Sequence, residues 1–207
     1  MITFLALPIS VLFYFMRGYI VNFIKNGGDN LMANLLGILV LSIFCRSIFH
    51  IAARSFYAMQ DTKTPLRVSI FAIGLNIVLA IWFSLSLDMG AYGLAWAQSI
   101  GAIVEISLLL FLMKKRIKGL FDHSFVLSIV KMIIASAVAG IFAYILVSAF
   151  PLLSSDESFL ATFPKFCFVG FTSCLVYLII AKVLRLEETY PIVSRIKKIL
   201  FSQFSTK

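Results

Sequence analysis

Charge is what this sequence has least of. Only 13% of its 207 residues are Asp, Glu, Lys or Arg, about half the ~25% of a soluble domain. The acids number nine, and no two of them share an apolar stretch as a general acid and base would. No HExxH, nucleophile elbow or glycine-rich phosphate loop occurs, so the chain is not expected to be an enzyme. Cysteine is scarce. Cys45, Cys167 and Cys174 stand in apolar stretches, with neither metal-ligand spacing nor a disulfide framework, and read as small core residues. No metal centre or organic cofactor is expected. A basic leader with a small-residue cleavage site is missing, which argues against a removed signal peptide. Low-complexity tracts and internal repeats are missing too.

Apolar sequence fills the space. Hydrophobic residues make up 61% of the chain and Phe occurs 21 times, against roughly 45–50% apolar in a soluble domain. The mean hydropathy is +1.03. Neither disorder nor a soluble core of this size accommodates that. Six stretches are long enough to cross a bilayer as helices, which takes ~20 residues: Ile2–Ile24, Leu31–Tyr57, Leu66–Leu87, Ala91–Met113, Phe125–Phe150 and Phe163–Leu184. They are continuous rather than alternating, which excludes barrel strands. Turn chemistry separates them, as in Asn26-Gly27-Gly28-Asp29, Lys63-Thr64-Pro65 and Asp88-Met89-Gly90. The fold class is therefore all-α, a polytopic membrane bundle of six spans. A membrane helix that starts at Ile2 is expected to be the later part of something longer.

Eighteen basic residues against nine acids would suggest a nucleic-acid partner in a soluble protein. Here the loops explain the excess. Arg54, Lys63 and Arg67 flank the second connection. Lys114, Lys115, Arg116, Lys118 and Lys131 gather at the fourth, and Lys182, Arg185, Arg195, Lys197, Lys198 and Lys207 in the tail. The other three connections hold Asp29, Asp88, Asp156 and Glu157, with only Lys25 and Lys165 beside them. By the positive-inside rule both termini are cytoplasmic. In the tail, Ile192, Ile196, Ile199, Leu200 and Phe204 recur at helical spacing beside Arg195, Lys197 and Lys198. That pattern fits a short amphipathic helix on an anionic leaflet or a plain basic end.

Charges inside membrane spans are functional candidates by default. Ser42, Arg46, His50 and Arg54 stand four apart on the second span. Lipid cannot face such a stripe, and two guanidiniums with an imidazole suit a phosphate. The structural alternative is an ion pair with Glu105, midway along the fourth span, and Arg54 is near enough to an interface to snorkel. Arg17 either joins the same cavity or snorkels outward. Asn76, Gln98 and Ser99 are expected to form interhelical hydrogen bonds. Gly93, Ala97 and Gly101, and Ser136 with Gly140, form small-residue stripes that let helices approach closely.

The stretch Ala53-Arg54-Ser55-Phe56-Tyr57-Ala58-Met59-Gln60-Asp61-Thr62-Lys63-Thr64-Pro65 resembles the signature of the MurJ/MviN lipid II flippases, in the multidrug/oligosaccharidyl-lipid/polysaccharide exporter superfamily. Leu5-Ala6-Leu7-Pro8, Gly90-Ala91-Tyr92-Gly93-Leu94-Ala95 and Lys114-Lys115-Arg116 support it. The resemblance implies the last six of fourteen membrane helices. Residues 1–113 would be four helices of the second lobe, 114–184 a final pair forming a lipid-tail groove, and 185–207 a basic cytoplasmic tail. It implies a part of a multi-pass flippase of the bacterial cytoplasmic membrane. The flippase would translocate undecaprenyl-pyrophosphate-linked peptidoglycan precursor for cell-wall synthesis, with membrane lipid, that glycolipid and the missing amino-terminal helices as partners. Phe56, Tyr57, Asp61, Thr62, Thr64 and Pro65 match the motif. Asp61 and Thr62 can cap the next helix, and Pro65 needs no amide donor there. The groove candidates are Phe142, Tyr144, Phe166 and Phe171. Coupling would come from the membrane potential or a monovalent cation, with Asn76 a weak sodium-site candidate because Ala80 stands where a carboxylate belongs. Glu105 replaces a common Asn. The alternatives are an O-antigen-type oligosaccharide-lipid flippase or another exporter of the superfamily, and, from a different class, a non-transporting scaffold or truncated relic.

Overall fold

The computed structural model describes residues 2–24, 29–116, 123–151, 159–184 and 186, apart from the side chains of 2, 123–126 and 159–161. The tail helix expected beyond residue 186, with Arg195 and its neighbours, lies outside the described residues, as do Asp156, Glu157 and Lys118. Among those described there is no strand. The helices are α1 (Ile2–Phe15), α2 (Arg17–Ile24), α3 (Asn30–Ala58), α4 (Lys63–Ile81), α5 (Ala91–Arg116), α6 (His123–Ala149) and α7 (Phe159–Val183). Five spans are long and apolar enough to cross a membrane, and six if α1 and α2 count as one.

The first expected span is not a single straight helix. It breaks at Met16, and α2 turns 69° away from α1. Gly18 stands beside the break, where the lack of a Cβ eases a sharp turn. The third span also changes character. α4 runs into a π turn at Trp82–Ser86, closed by Leu87 N–H donating to the Trp82 carbonyl at 3.2 Å. Gly93 of α5 packs on that turn. A Cβ at Gly93 would lie 2.8 Å from the Phe83 carbonyl carbon and 2.9 Å from the Ser84 nitrogen. The close approach that the small-residue stripe foretold is therefore a backbone-to-backbone contact.

Among the described residues three cores organise the bundle, the smallest made by Met16, Tyr19 and Val169. α3, α4 and α5 enclose Cys45, Ala52, Ala53, Phe56, Val68, Ala102, Ile106 and Leu109. A second core joins Phe4 of α1 to Met132, Ala135 and Ala139 of α6 and to Tyr177 and Ala181 of α7. Grouped by sequence with the first four spans, α1 thus shares its core with the last two, while also packing along α3. Polar contacts fasten this second half at three points. Tyr177 O–H donates to the Phe4 carbonyl at 2.8 Å, Asn22 Nδ2 to Thr162 Oγ1 at 2.7 Å, and Tyr19 O–H to the Phe150 carbonyl. Each satisfies a polar group that burial in an apolar medium would otherwise penalise.

Candidate functional site

The polar residues that enter the apolar middle of the bundle follow two lines. The first runs along the α4–α5 seam. Ser69 Oγ donates to Glu105 Oε1 at 2.8 Å, and Asn76 Nδ2 to Gln98 Oε1 at 3.0 Å. Ser69 and Asn76 are seven residues apart on α4, as are Gln98 and Glu105 on α5. Two helical turns separate the rungs on each helix, so the antiparallel pair meets in register. Ser99, one residue round from Gln98, instead donates to the Ile38 carbonyl of α3 at 2.8 Å. The interhelical role expected of Asn76, Gln98 and Ser99 is what the structure shows. Ser69 was missed, although its spacing to Asn76 repeats that of Gln98 to Glu105. The Asn76 amide faces Gln98, and no three of His, Cys, Asp and Glu converge among the described residues.

The second line is the stripe of α3, and it does not hold together as four residues. Ser42 turns inward, 4% exposed, and bonds back to the Leu39 carbonyl at 2.8 Å. Arg46, His50 and Arg54 are exposed. His50 makes an edge contact with the Phe49 ring. Among the described residues none of the three makes a hydrogen bond or ion pair. Glu105 is only 9% exposed and takes its bond from Ser69, so the structure does not join it to Arg46.

Depth gives the stripe its meaning. The 29 residues of α3 extend ~43 Å at 1.5 Å each, against ~30 Å of hydrocarbon. With the helix centred, ~6 Å projects at each end. Arg54 lies four residues before Ala58, ~6 Å in, at the interface. Arg46 lies twelve before it, ~18 Å in. That places it beyond snorkelling reach and on a face that lipid cannot solvate cheaply.

Arg17 goes elsewhere. At the α1–α2 break its guanidinium stacks over the Tyr14 ring at 4.7 Å, and a Cβ on Gly37 would meet its Nη1 at 3.1 Å. Here it lines a cavity of about 900 Å³ between α1, α3, α5 and α6, whose other walls include Leu7, Phe44, Ile48, Trp96 and Ile133. That volume is at the upper end for ligand pockets. Arg46 stands two residues from both Phe44 and Ile48, ~160° round the helix. The cavity and the basic stripe therefore occupy opposite sides of α3.

The aromatic groove residues do not gather round this cavity. Phe142 is half-buried on α6. Tyr144 is exposed and touches Phe15 at 6.0 Å between centroids. Phe166 packs edge-on against Phe23 at 5.3 Å and lines a smaller pocket of about 160 Å³ with Met16 and Gly170. Phe171 is 69% exposed.

At the basic end of the bundle, the motif folds into a clamp. Asp61 Oδ1 accepts from the N–H groups of Lys63 and Thr64 at 3.1 and 3.0 Å, and Oδ2 from Thr64 Oγ1 at 2.6 Å. Asp61 thus caps the first amides of α4, and the Thr64 hydroxyl fixes its carboxylate from inside the helix. Thr62, also expected to cap, makes no side-chain cap bond. Pro65 is buried in the first turn, where an amide donor has no helical partner anyway. Arg116, ending α5, pairs with Asp61 Oδ2 at 2.6 Å and lies over the Phe56 ring. The Thr64 hydroxyl and N–H, and then Arg116, hold the Asp61 carboxyl below its ordinary range despite some desolvation. Gln60 supplies the left-handed turn, φ 59°. Tyr57 is exposed beside it.

Fold and site together define an integral membrane helix bundle with a basic face that is unpaired among the described residues, and comparison with known proteins narrows the class. A family model described as lipid II flippase MurJ matches residues 1–163. This chain belongs to that family. It is 28% identical to a probable lipid II flippase MurJ of Thermotoga maritima over 163 residues, 79% of this chain and 30% of the relative. It is also 28% identical to the uncharacterized membrane protein EpsK of Bacillus subtilis over 164 residues, 78% of this chain and 30% of the relative. The chain thus spans about 30% of the length of these curated relatives. No solved structure matches it significantly. Its spans and its family make it a multi-pass protein of the bacterial inner membrane.

Proposed function

We propose that this chain is part of a flippase that carries undecaprenyl-pyrophosphate-linked peptidoglycan precursor from the inner to the outer leaflet. The observation that carries the reading is the exposed, unpaired Arg46–His50 face deep in a membrane helix. Such a face requires water, an anion or another protein wall. A pyrophosphate crossing hydrocarbon requires the same thing from the other side, a hydrated basic cavity that opens alternately. Guanidinium and imidazole donors provide charge-assisted bonds to its oxygens. The remaining walls come from helices supplied outside these 207 residues, and residues 1–113 supply one part of the second lobe. The α1–α3–α6 cavity, lined mostly by apolar side chains with Thr3, Ser10, Arg17 and Asn34 among them, is a better place for the prenyl chain than α6 and α7. It encloses volume where Tyr144 and Phe171 only present surface. Both termini are cytoplasmic in this reading, which puts the Asp61–Arg116 clamp on the inner side.

The test uses cells in which this chain is expressed with the helices that complete a two-lobed exporter, and reads lipid II translocation and membrane abundance together. Arg46→Ala is expected to lower translocation about tenfold or more at unchanged abundance, as loss of a charge-assisted pair of ~1.5–3 kcal/mol would. Arg46→Lys keeps the charge but loses the bidentate fork, and should fall between. Lys131→Ala should do neither. Full translocation by Arg46→Ala would remove the basic face from the mechanism.

A further inference from the structure

We propose that the cavity between α1, α3, α5 and α6 seats a prenyl lipid with its phosphate at Arg17 and its chain along the apolar walls. This rests on the reading of that cavity as the prenyl seat, and adds the end at which the charged head sits. The cavity is graded along its length. On α3 its lining residues Asn34, Gly37, Leu41, Phe44 and Ile48 recur three or four apart, which is one face of a helix. Polar groups hold one end. There the Arg17 guanidinium and the Tyr14 ring lie against Gly37, one turn from Asn34. Past Leu41 the walls are apolar, with Leu7, Phe44, Ile48 and Ile133 among them. Ser10, part-way along, spends its hydroxyl on the Ala6 carbonyl at 2.8 Å.

Length and charge both fit that occupant. From Asn34 to Ile48 α3 rises ~21 Å at 1.5 Å per residue, longer than the ~15 Å of hydrocarbon in one leaflet. Asn34 lies four residues into α3, ~6 Å from its start, at the depth of the interface where lipid heads lie. A lipid held by its head there lays its chain along the apolar walls. The guanidinium is always charged and can fork onto two phosphate oxygens, and the Asn34 amide can add a donor. A water-soluble phosphate makes no use of the apolar walls, and a neutral lipid makes none of Arg17. With both termini cytoplasmic, the Arg17 end is the outer one, so the lipid sits head-outward, as it does after translocation. The site lies across α3 from Arg46 and does not depend on what that face binds.

Native mass spectrometry of the full chain tests this with undecaprenyl phosphate and undecaprenol, which differ only in the head. Wild type should bind the phosphate about tenfold or more tighter than the alcohol. In Arg17→Gln the two should bind alike, and the alcohol as it does in wild type, which also shows the cavity intact. Gly37→Val drives a side chain into the guanidinium and should shrink the preference although Arg17 remains. Leu41→Trp should weaken both lipids by filling the cavity, and Arg67→Gln on α4 should change neither. Equal binding of the two lipids by wild type, or a preference that survives Arg17→Gln, overturns the head site and leaves the prenyl seat standing. Binding of neither lipid, or binding of both untouched by Leu41→Trp, overturns the prenyl seat and the head site with it. Displacement of undecaprenyl phosphate by an equal concentration of dioleoyl phosphatidate would make this a site for ordinary phospholipid and overturn the prenyl assignment alone.

Discussion

The α4–α5 seam and the outer face of α3 carry polar side chains to similar depths, yet they end differently. In the seam, Ser69 meets Glu105 and Asn76 meets Gln98, so the polar atoms are satisfied within the chain. On α3, Arg46 and His50 are exposed with no such partner among the described residues. A membrane helix tolerates polar groups in two ways, by pairing them across a helix interface or by keeping them in contact with water or a ligand. The seam uses the first way, and helps fix α4 on α5. The α3 face leaves only the second.

The largest effect expected from this contrast is all or none. On the proposed reading the basic face takes its walls from further helices, so the chain alone should not restore growth to cells depleted of their lipid II flippase. Expressed beside the helices that complete the exporter, it should. Rescue by the 207 residues alone would show that the basic face finds its walls in a second copy.

Next come changes inside the seam. Gly93→Val would drive a side chain into the Phe83 backbone and should cost roughly 1–3 kcal/mol through overpacking. Membrane abundance and melting temperature would register it. If melting is unchanged, the contact between α5 and the π turn is looser than described. Ser69→Ala leaves the Glu105 carboxyl without its donor and should cost about 1–2 kcal/mol. Combined with Glu105→Ala, which removes the acceptor, the two losses should not add. Additive losses would mean that Ser69 and Glu105 act separately. Neither substitution is expected to change the behaviour of Arg46.

The smallest effect belongs to the clamp at the basic end. Asp61 has its carboxyl held below the ordinary value, so the folded chain binds that proton less readily than the unfolded one. Its contribution is full above the ordinary Asp value of ~3.9 and disappears as pH falls below that through the depressed value. Acid melting of wild type and Asp61→Asn should therefore converge below about pH 4. A gap that widens there would contradict the clamp.

Much of this was readable beforehand, and the exceptions share a cause. Long apolar runs gave the spans within a few residues, because bilayer thickness sets their length. Asn76, Gln98 and Ser99 were legible as interhelical donors and acceptors because neutral polar groups in a span have few other uses. Direction was not legible. Residues four apart turn ~40° further round the helix at each step, so Ser42 lies ~120° from Arg54 and faces the core while Arg54 faces out. Arg46 and Glu105 stand on different helices, and Glu105 takes its bond from Ser69 of α4 instead. Hydropathy also could not see the break at Met16, since Arg17-Gly18 interrupts an apolar run without ending it. That break is what turns Arg17 onto Tyr14 and into the cavity.

A basic face of α3 that meets water inside the membrane should be open to cysteine accessibility measurements. In a background with Cys45, Cys167 and Cys174 replaced, single cysteines at Arg46, His50 and Arg54 would be exposed to a charged, membrane-impermeant methanethiosulfonate in the assembled exporter. Val78→Cys, 63% exposed on the outer side of α4, serves as the lipid-facing control. Positions 46 and 50 are expected to react within about tenfold of position 54, and Val78→Cys about a hundredfold more slowly, since only a hydrated face ionises a thiol. Positions 46 and 50 as inert as Val78→Cys would mean that the face is dry, and the hydrated cavity would have to be given up.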